Sequence, residues 1–190
     1  TRPRLYLFAS VSAQRLGKNL KALEYLQQGK TYLGYDEALE IQFLTNFAEV
    51  HHVLGNHEKS DEYFELVLEL DPDNLIALNN YSYYLSLHRK DLDKAADYSL
   101  KTVEAEPNNN TYLDTYAWIL YQKGDYKEAL KYIKNAYANG GYENPEILEH
   151  YGDILFQLNE KKEALKYWKT ALELSNNNSE LEKKIQNISD

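Results

Sequence analysis

Histidine and carboxylate side chains are the residues of this chain whose chemistry could support catalysis or metal binding. The chain has five histidines and no cysteine, which excludes thiolate metal sites, cysteine nucleophiles and disulfides. His51, His52 and His57 are close in sequence, but adjacent helical residues point about 100° apart and do not face one ion together. His150 and Asp153 are three residues apart, and no third ligand or nucleophile is in register with them. We therefore expect ordinary hydrogen bonds here, with no catalytic residue, no cofactor and no metal site.

The stretch from Asn110 to Ala138 indicates which elements carry such side chains. Small and apolar residues recur there at offsets of three and four, which predicts two helices that each have one apolar face. Gly124 suits the end of the first helix, and Asp125 suits the N-cap of the second. The residues on the facing sides are Leu113, Tyr116, Ala117, Leu120, Ala129, Ile133 and Ala136. The pattern predicts a helical hairpin that needs neighbouring hairpins to bury its apolar faces.

The hairpin recurs along the chain. Ala95 precedes Ala129 by 34 residues, Ala164 follows Ala129 by 35, and Pro72 and Pro107 are 35 apart. One copy carries Leu44, Phe47, Ala48, Ser60, Phe64 and Pro72, and the last carries Leu148, Tyr151, Gly152, Leu155, Ala164 and Trp168. These residues resemble the tetratricopeptide repeat, in which Trp-x2-Leu-Gly-x2-Tyr, Ala-x3-Phe and Pro recur over about 34 residues. The run from Leu113 to Trp168 is also similar to bacterial arrays of this family.

The resemblance implies an all-α fold, namely a right-handed α-solenoid of helix-turn-helix repeats. We predict a single array over residues 1–190. It consists of a degenerate repeat at about 3–36, repeats at 41–74, 75–109, 110–144 and 145–178, and a capping helix at 179–189. Ser179 and Glu182 have the spacing of a capping box that would open this last helix. Leu181, Ile185 and Ile188 would form its apolar stripe, and Glu182, Lys183, Lys184 and Gln186 its polar back.

Charge and hydropathy restrict the partners. The chain has a net charge of −9, and an acidic body repels phosphate backbones, so we expect no nucleic acid partner. Residues 1–30 carry six basic groups against one acid, which is typical of a solvated face. No apolar run approaches the roughly 18 residues of a membrane span. Because the chain begins with Thr1, we interpret it as a fragment or processed form, from the cytoplasm or from the bacterial cell envelope or periplasm.

In the family that the chain resembles, positions 2, 5, 9 and 12 of each first helix line a concave surface that binds peptides or partner helices. The groove predicted in this way is aromatic and acidic. Its candidate residues are Glu49, His52, Tyr83, Asp114, Trp118, Tyr121, Glu149, Asp153 and Phe156. Two interpretations of the aromatic residues are open: they form a recognition stripe, or they fill the seam between neighbouring first helices.

The predicted function is non-catalytic protein–protein interaction or scaffolding, with a peptide or partner helix that carries basic and apolar residues. One subclass of the family clamps the carboxylate of chaperone tails with lysine, arginine and asparagine. Asn46 and Asn80 match that asparagine, but Thr45 and Glu49 occupy cationic positions, so we exclude chaperone-tail binding. Two alternatives are open: a regulatory or scaffolding segment of a longer enzyme or envelope assembly protein, and a self-association module that forms a homodimer.

Overall fold

A computed structural model describes residues 2–175 and 178–189, and its regular elements within these ranges are all helical. Eleven α-helices and one 3-10 turn follow one another along this described part of the chain. They are α1 Arg2–Arg15, α2 Asn19–Lys30, α3 Glu37–Val53, α4 His57–Leu70, α5 Leu75–Leu87, α6 Leu92–Ala105, α7 Asn110–Lys123, α8 Tyr126–Ala138, the 3-10 turn Gly141–Glu143, α9 Pro145–Gln157, α10 Lys161–Leu174 and α11 Ser179–Ser189. The all-α fold of helical hairpins predicted from the sequence is confirmed. Among the residues that are described, no helix is long and apolar enough to cross a bilayer.

The chain divides into two compact units. Unit 1 ends at Tyr81 and unit 2 begins at Ser82, so the division falls within α5. Unit 1 contains the α1–α2 and α3–α4 hairpins, and unit 2 contains the α7–α8 and α9–α10 hairpins, α6 and α11. The single array and its repeat boundaries stay a prediction, and Asn176 and Asn177 of the last predicted repeat lie outside the described residues.

The turn that follows each of α1, α3, α5, α7 and α9 contains a residue in the left-handed backbone region. These residues are Gly17, Gly55, Arg89, Gly124 and Asn159, with φ of 69°, 77°, 51°, 88° and 68°. At Gly124 the backbone N–H donates to the carbonyls of Leu120 and Tyr121, which ends α7 as predicted. Asp125 is at the N-cap of α8, but its side chain makes no capping hydrogen bond. The glycine, rather than the acid, therefore directs this turn.

The core of unit 1 depends on a close approach of α1, α2 and α3. Leu26 and Phe43 are fully or almost fully buried there. A Cβ added to Gly29 of α2 would lie 2.6 Å from the Phe43 ring and 2.7 Å from Cβ of Tyr6. Real Cβ atoms do not approach this closely, so the packing of α2 requires glycine at this position.

In unit 2 the small residues that the sequence marked as helix contacts are buried. Ala129 is fully buried, within a cluster that includes Leu113, Ala117 and Ile133. A Cβ on Gly152 of α9 would lie only 2.2 Å from Cδ1 of Trp168 on α10. The predicted close packing of α9 on α10 is confirmed at Gly152.

The C-terminal helix α11 covers the end of unit 2 through its predicted apolar stripe. Leu181 is fully buried with Leu148 and Trp168, and Ile185 and Ile188 pack against the same cluster. The predicted capping box is wrong by one residue. Oδ1 of Asn178 accepts a hydrogen bond from the backbone N–H of Leu181 at 3.0 Å, and Ser179 is already the first helical residue. Asparagine is as good an N-cap as serine, and here it precedes the helix directly.

Candidate protein-binding surface

Trp118 on α7 is stacked between two other rings of unit 2. The Tyr121 ring lies 4.7 Å from it, nearly parallel at 12°, and the His150 ring of α9 lies 4.1 Å from it at 16°. Tyr121 is three residues further along α7 and so shares its face, whereas His150 comes from the neighbouring first helix. Trp118 and Tyr121 are half-buried. The Trp118 ring therefore takes part in helix packing and also contributes to the surface.

The buried pair of Asp114 and His150 holds this stack in position. Nδ1 of His150 lies 2.9 Å and 3.1 Å from the two Asp114 carboxylate oxygens, and both residues are 7% exposed. Burial alone would lower the pKa of His150, but the charge of Asp114 and its hydrogen bond outweigh burial and raise the pKa. The sequence suggested a hydrogen bond of His150 with Asp153 instead, and that interpretation is wrong. Equivalent first helices lie side by side, so residues about one repeat apart meet.

Glu149 and Asp153 are bound by a lysine that the sequence pattern places on the polar back of α11. Nζ of Lys184 lies 2.7 Å from Oε1 of Glu149 and 2.8 Å from Oδ2 of Asp153. Nε1 of Trp168 also donates to Oδ1 of Asp153 at 3.0 Å. The prediction that Lys184 lies on the polar back of α11 is therefore wrong. The repeat spacing could have identified this lysine, since it follows Glu149 by 35 residues.

The same cluster shifts the pKa values of its members. Burial raises the pKa of Asp153, although Lys184 opposes that shift. Burial would lower the pKa of Lys184, but Asp153 and Glu149 outweigh it and raise the pKa. Lys184 therefore stays charged at neutral pH and anchors α11 to α9.

Tyr83 on α5 reaches the start of α9. Its hydroxyl donates to Oε1 of Glu146 at 2.5 Å, and the Tyr83 ring is half-buried. Burial and then the Glu146 carboxylate raise the pKa of Tyr83, so its hydroxyl stays protonated as a donor. We call the surface formed by four residues the aromatic surface of unit 2: Tyr83, Trp118, Tyr121 and His150.

The remaining predicted groove residues have separate environments. In unit 1, Oε1 of Glu49 accepts from Nδ2 of Asn80 at 3.1 Å, and burial raises the pKa of Glu49. The His52 ring, also in unit 1, lies 5.2 Å from that of His57. Phe156 in unit 2 is 36% exposed, with its ring 5.6 Å from that of Trp168. Within unit 2 the structure brings together the candidates on α5, α7 and α9, and Glu49 and His52 belong to unit 1.

Part of the negative charge of the unit 2 surface is compensated by pairing between side chains of unit 2. Asp114 is paired with His150, and Glu149 and Asp153 share Lys184. These contacts hold the carboxylates in fixed positions and engage them in structural ion pairs. The arrangement can present rigid, half-exposed rings to a partner, with a remaining excess of negative charge.

Comparison with known sequences identifies two family models that match separate parts of the chain. The model described as tetratricopeptide repeat matches residues 35–74, and the one described as anaphase-promoting complex, cyclosome, subunit 3 matches residues 88–171. A curated relative, the TPR repeat-containing protein PA4667 of Pseudomonas aeruginosa, is 28% identical over 133 residues, which are 70% of this chain. The match covers 22% of that relative's length.

Solved structures with the same fold include several repeat proteins. PilW, described as a widely conserved type IV pilus biogenesis factor, has a TM-score of 0.82 at 16% identity, over 98% of this chain and 86% of its own. TTC0263, a thermophilic TPR protein in Thermus thermophilus, has a TM-score of 0.79 at 18% identity, over 98% of both chains. MamA from Desulfovibrio magneticus RS-1 has a TM-score of 0.70 at 20% identity, over 91% of this chain and 94% of its own. At these identities the likeness concerns the fold alone.

Proposed function

The chain is a tetratricopeptide repeat protein, and from this premise we propose that it is a non-catalytic scaffold that binds a partner protein on the aromatic surface of unit 2. Families of this type are generally interaction modules without catalysis. Their repeats present first-helix side chains to a partner, and α5 and α7 carry the half-buried rings here.

The stack of Tyr121, Trp118 and His150 is the observation that carries this proposal. Tryptophan and tyrosine offer a large contact area, and their rings lose little conformational entropy when they are already fixed. The buried carboxylate of Asp114 fixes His150, and the His150 ring fixes Trp118. A partner that binds Trp118 and Tyr121 would therefore meet a preorganised surface.

We infer that the partner segment is extended or helical and combines an apolar side chain with lysine or arginine. The apolar side chain would cover Trp118 and Tyr121. Four carboxylates, those of Asp114, Glu146, Glu149 and Asp153, belong to this region, against the ammonium group of Lys184 and the His150 imidazole that pairs with Asp114. Because most of these acids already have an internal partner, a cation of the ligand would act mainly through charge attraction during approach and through contact with the rings.

Two alternatives remain candidates. The chain spans about a fifth of the length of its curated relative, which favours a regulatory or scaffolding segment of a longer protein. Self-association through the aromatic surface is the other, and light scattering would detect it as a doubled molar mass.

A peptide library displayed on phage and selected against the whole chain would test the proposal. We expect enriched peptides with apolar and basic residues, and amide exchange on binding should slow in α7 and α9. Tyr142 provides the control because it is 51% exposed and lies outside the aromatic surface, so Tyr142→Ala should leave peptide binding unchanged. Enrichment of acidic peptides alone, or protection confined to unit 1, would contradict the proposal.

A further inference from the structure

Unit 1 contains a cleft between α2 and α4, with α3 as its floor. Its volume is about 500 Å³, which is within the range of small-ligand sites. Leu23, Gln27 and Lys30 line it from α2, and Lys59 and Tyr63 line it from α4. We call this the α2–α4 cleft. It lies within residues 23–63 and shares no residue with the aromatic surface of unit 2.

Three nearly parallel rings, two from α3 and one from α4, lie against one another at the base of the cleft. The Phe47 ring stacks on Tyr63 with 4.9 Å between centroids and 12° between planes. The His51 ring stacks on the same Tyr63 at 5.5 Å and 10°. Phe47 and His51 are only 2% and 6% exposed, so the half-buried Tyr63 ring is the part of this stack that a ligand can contact. An accessible aromatic ring favours a planar apolar group as ligand.

Two cations line the walls. Lys30 Nζ lies 5.8 Å from the centre of the Phe47 ring, and Lys59 is on the opposite helix. Neither lysine forms an ion pair with any acid that the structure describes. Glu62 is the one acid that lines the cleft, so the lining carries two lysines and one carboxylate in a protein of net charge −9. This local excess of one positive charge favours a monoanion.

His51 adds a hydrogen-bond donor. Nδ2 of Asn56, which can only donate, lies 3.4 Å from Nδ1 of His51, so Nδ1 accepts and the ring proton of neutral histidine is on Nε2. Burial, with Lys59 nearby, lowers the pKa of His51 and keeps the ring neutral at pH 7. Nε2 has no hydrogen-bond partner among the described residues.

We propose that the α2–α4 cleft binds a planar aromatic group that carries a carboxylate. The ring would pack against the half-buried Tyr63 ring, and the carboxylate would bind between Lys30 and Lys59. Two sources share this chemistry: a free aromatic acid, and an aromatic residue next to an aspartate or glutamate in a peptide. The site is independent of the surface proposed above for partner binding.

Titration calorimetry on the whole chain with chosen probes tests the proposal. 2-Naphthoate supplies both features, 2-naphthamide lacks the charge, and cyclohexanecarboxylate lacks the flat ring. We expect 2-naphthoate to bind at least about tenfold more tightly than either analogue, since each lost feature is worth roughly 1.4 kcal/mol. Equal affinities for the acid and the amide would overturn the proposal.

Variants at the cleft identify the site. Lys30→Gln combined with Lys59→Gln should weaken 2-naphthoate binding about tenfold or more, because two positive charges that attract the carboxylate are removed. Glu62→Gln should strengthen binding, because a negative charge that repels the carboxylate is removed. All three side chains are on the surface, so these variants should keep the wild-type melting temperature. Trp118→Ala, in unit 2, should bind the probe normally. Unchanged binding by the double lysine variant would overturn the proposal.

A blocked peptide, acetyl-Gly-Phe-Glu-Gly-amide, separates the two sources. Tighter binding of the peptide than of 2-naphthoate assigns the cleft to a protein partner with an acidic aromatic segment. Binding of 2-naphthoate alone assigns it to a free aromatic acid. If neither probe binds at millimolar concentration, the proposal is wrong.

Discussion

Asp114 and His150 are 36 residues apart in sequence, and they form a buried pair in which His150 Nδ1 is 2.9 Å from Asp114 Oδ1. A sequence separation of about one repeat means that the pair links equivalent faces of two successive first helices, α7 and α9. It also orients the ring on which Trp118 stacks. The pair therefore connects the packing of unit 2 with the surface that we propose for partner binding.

The pH dependence of stability should reveal this pair. The folded state raises the pKa of His150 above its ordinary value of about 6.5, so its stabilising effect is complete below that value. The effect is lost as the pH rises through the raised pKa of the folded state. We expect the difference in unfolding free energy between wild type and His150→Gln to shrink from pH 6 towards pH 9. A difference independent of pH in denaturant unfolding would contradict the charged pair.

Lys184 should anchor α11 through charge as well as through packing. Lys184→Met keeps much of the aliphatic chain but leaves Glu149 and Asp153 without their cation. We expect a loss of about 2 kcal/mol, less than the roughly 3–5 kcal/mol of a fully buried pair, because a third of the Lys184 side chain is exposed. Lys183→Met is the matched control, since Lys183 is exposed on the same helix. Equal melting temperatures for the two variants would refute the anchoring role.

Gly29 should tolerate no larger side chain. Gly29→Ala gains up to about 1 kcal/mol of helix propensity, but overpacking against Phe43 and Tyr6 costs about 1–3 kcal/mol, so we expect a net loss. Gly34→Ala makes the same chemical change in unit 1 where a Cβ would meet nothing within 4 Å. Thermal unfolding should show a lower melting temperature for the first variant and an unchanged one for the second. If both variants had the melting temperature of wild type, the close approach of Gly29 to Phe43 and Tyr6 would be contradicted.

The regular spacing of small residues, together with the resemblance to the tetratricopeptide repeat, predicted the all-α fold. Ala95, Ala129 and Ala164 recur every 34 or 35 residues because each is needed where two helices of a hairpin cross, and all three are fully buried. Gly152 was predicted as a close contact for the same reason. Gly29 was not predicted as a close contact, because its copy of the motif is degenerate. The ring that it accommodates, Phe43, lies in the next hairpin.

The partners of the polar residues were harder to predict. Periodicity assigns a residue to a helix face, but a hydrogen bond depends on how neighbouring helices are rotated and shifted along their axes. His150 could therefore be assigned to the wrong acid, Asp153, on its own helix. Lys184 was overlooked because α11 was considered only as a cover for the apolar edge, although it contacts α9 one repeat spacing after Glu149.

The dissociation rate of a selected peptide from Trp118→Ala, compared with Tyr142→Ala, tests partner binding by the aromatic surface most directly. Trp118 also packs on His150, so the melting temperature of Trp118→Ala should fall, and the rate must be measured well below that temperature. We predict that the folded variant releases the peptide about 30-fold faster than wild type, which corresponds to roughly 2 kcal/mol for an anchor residue. Tyr142→Ala should release it at the wild-type rate. A lower melting temperature of Trp118→Ala together with a wild-type dissociation rate would show that Trp118 only fills the seam between α7 and α9, and would contradict the account.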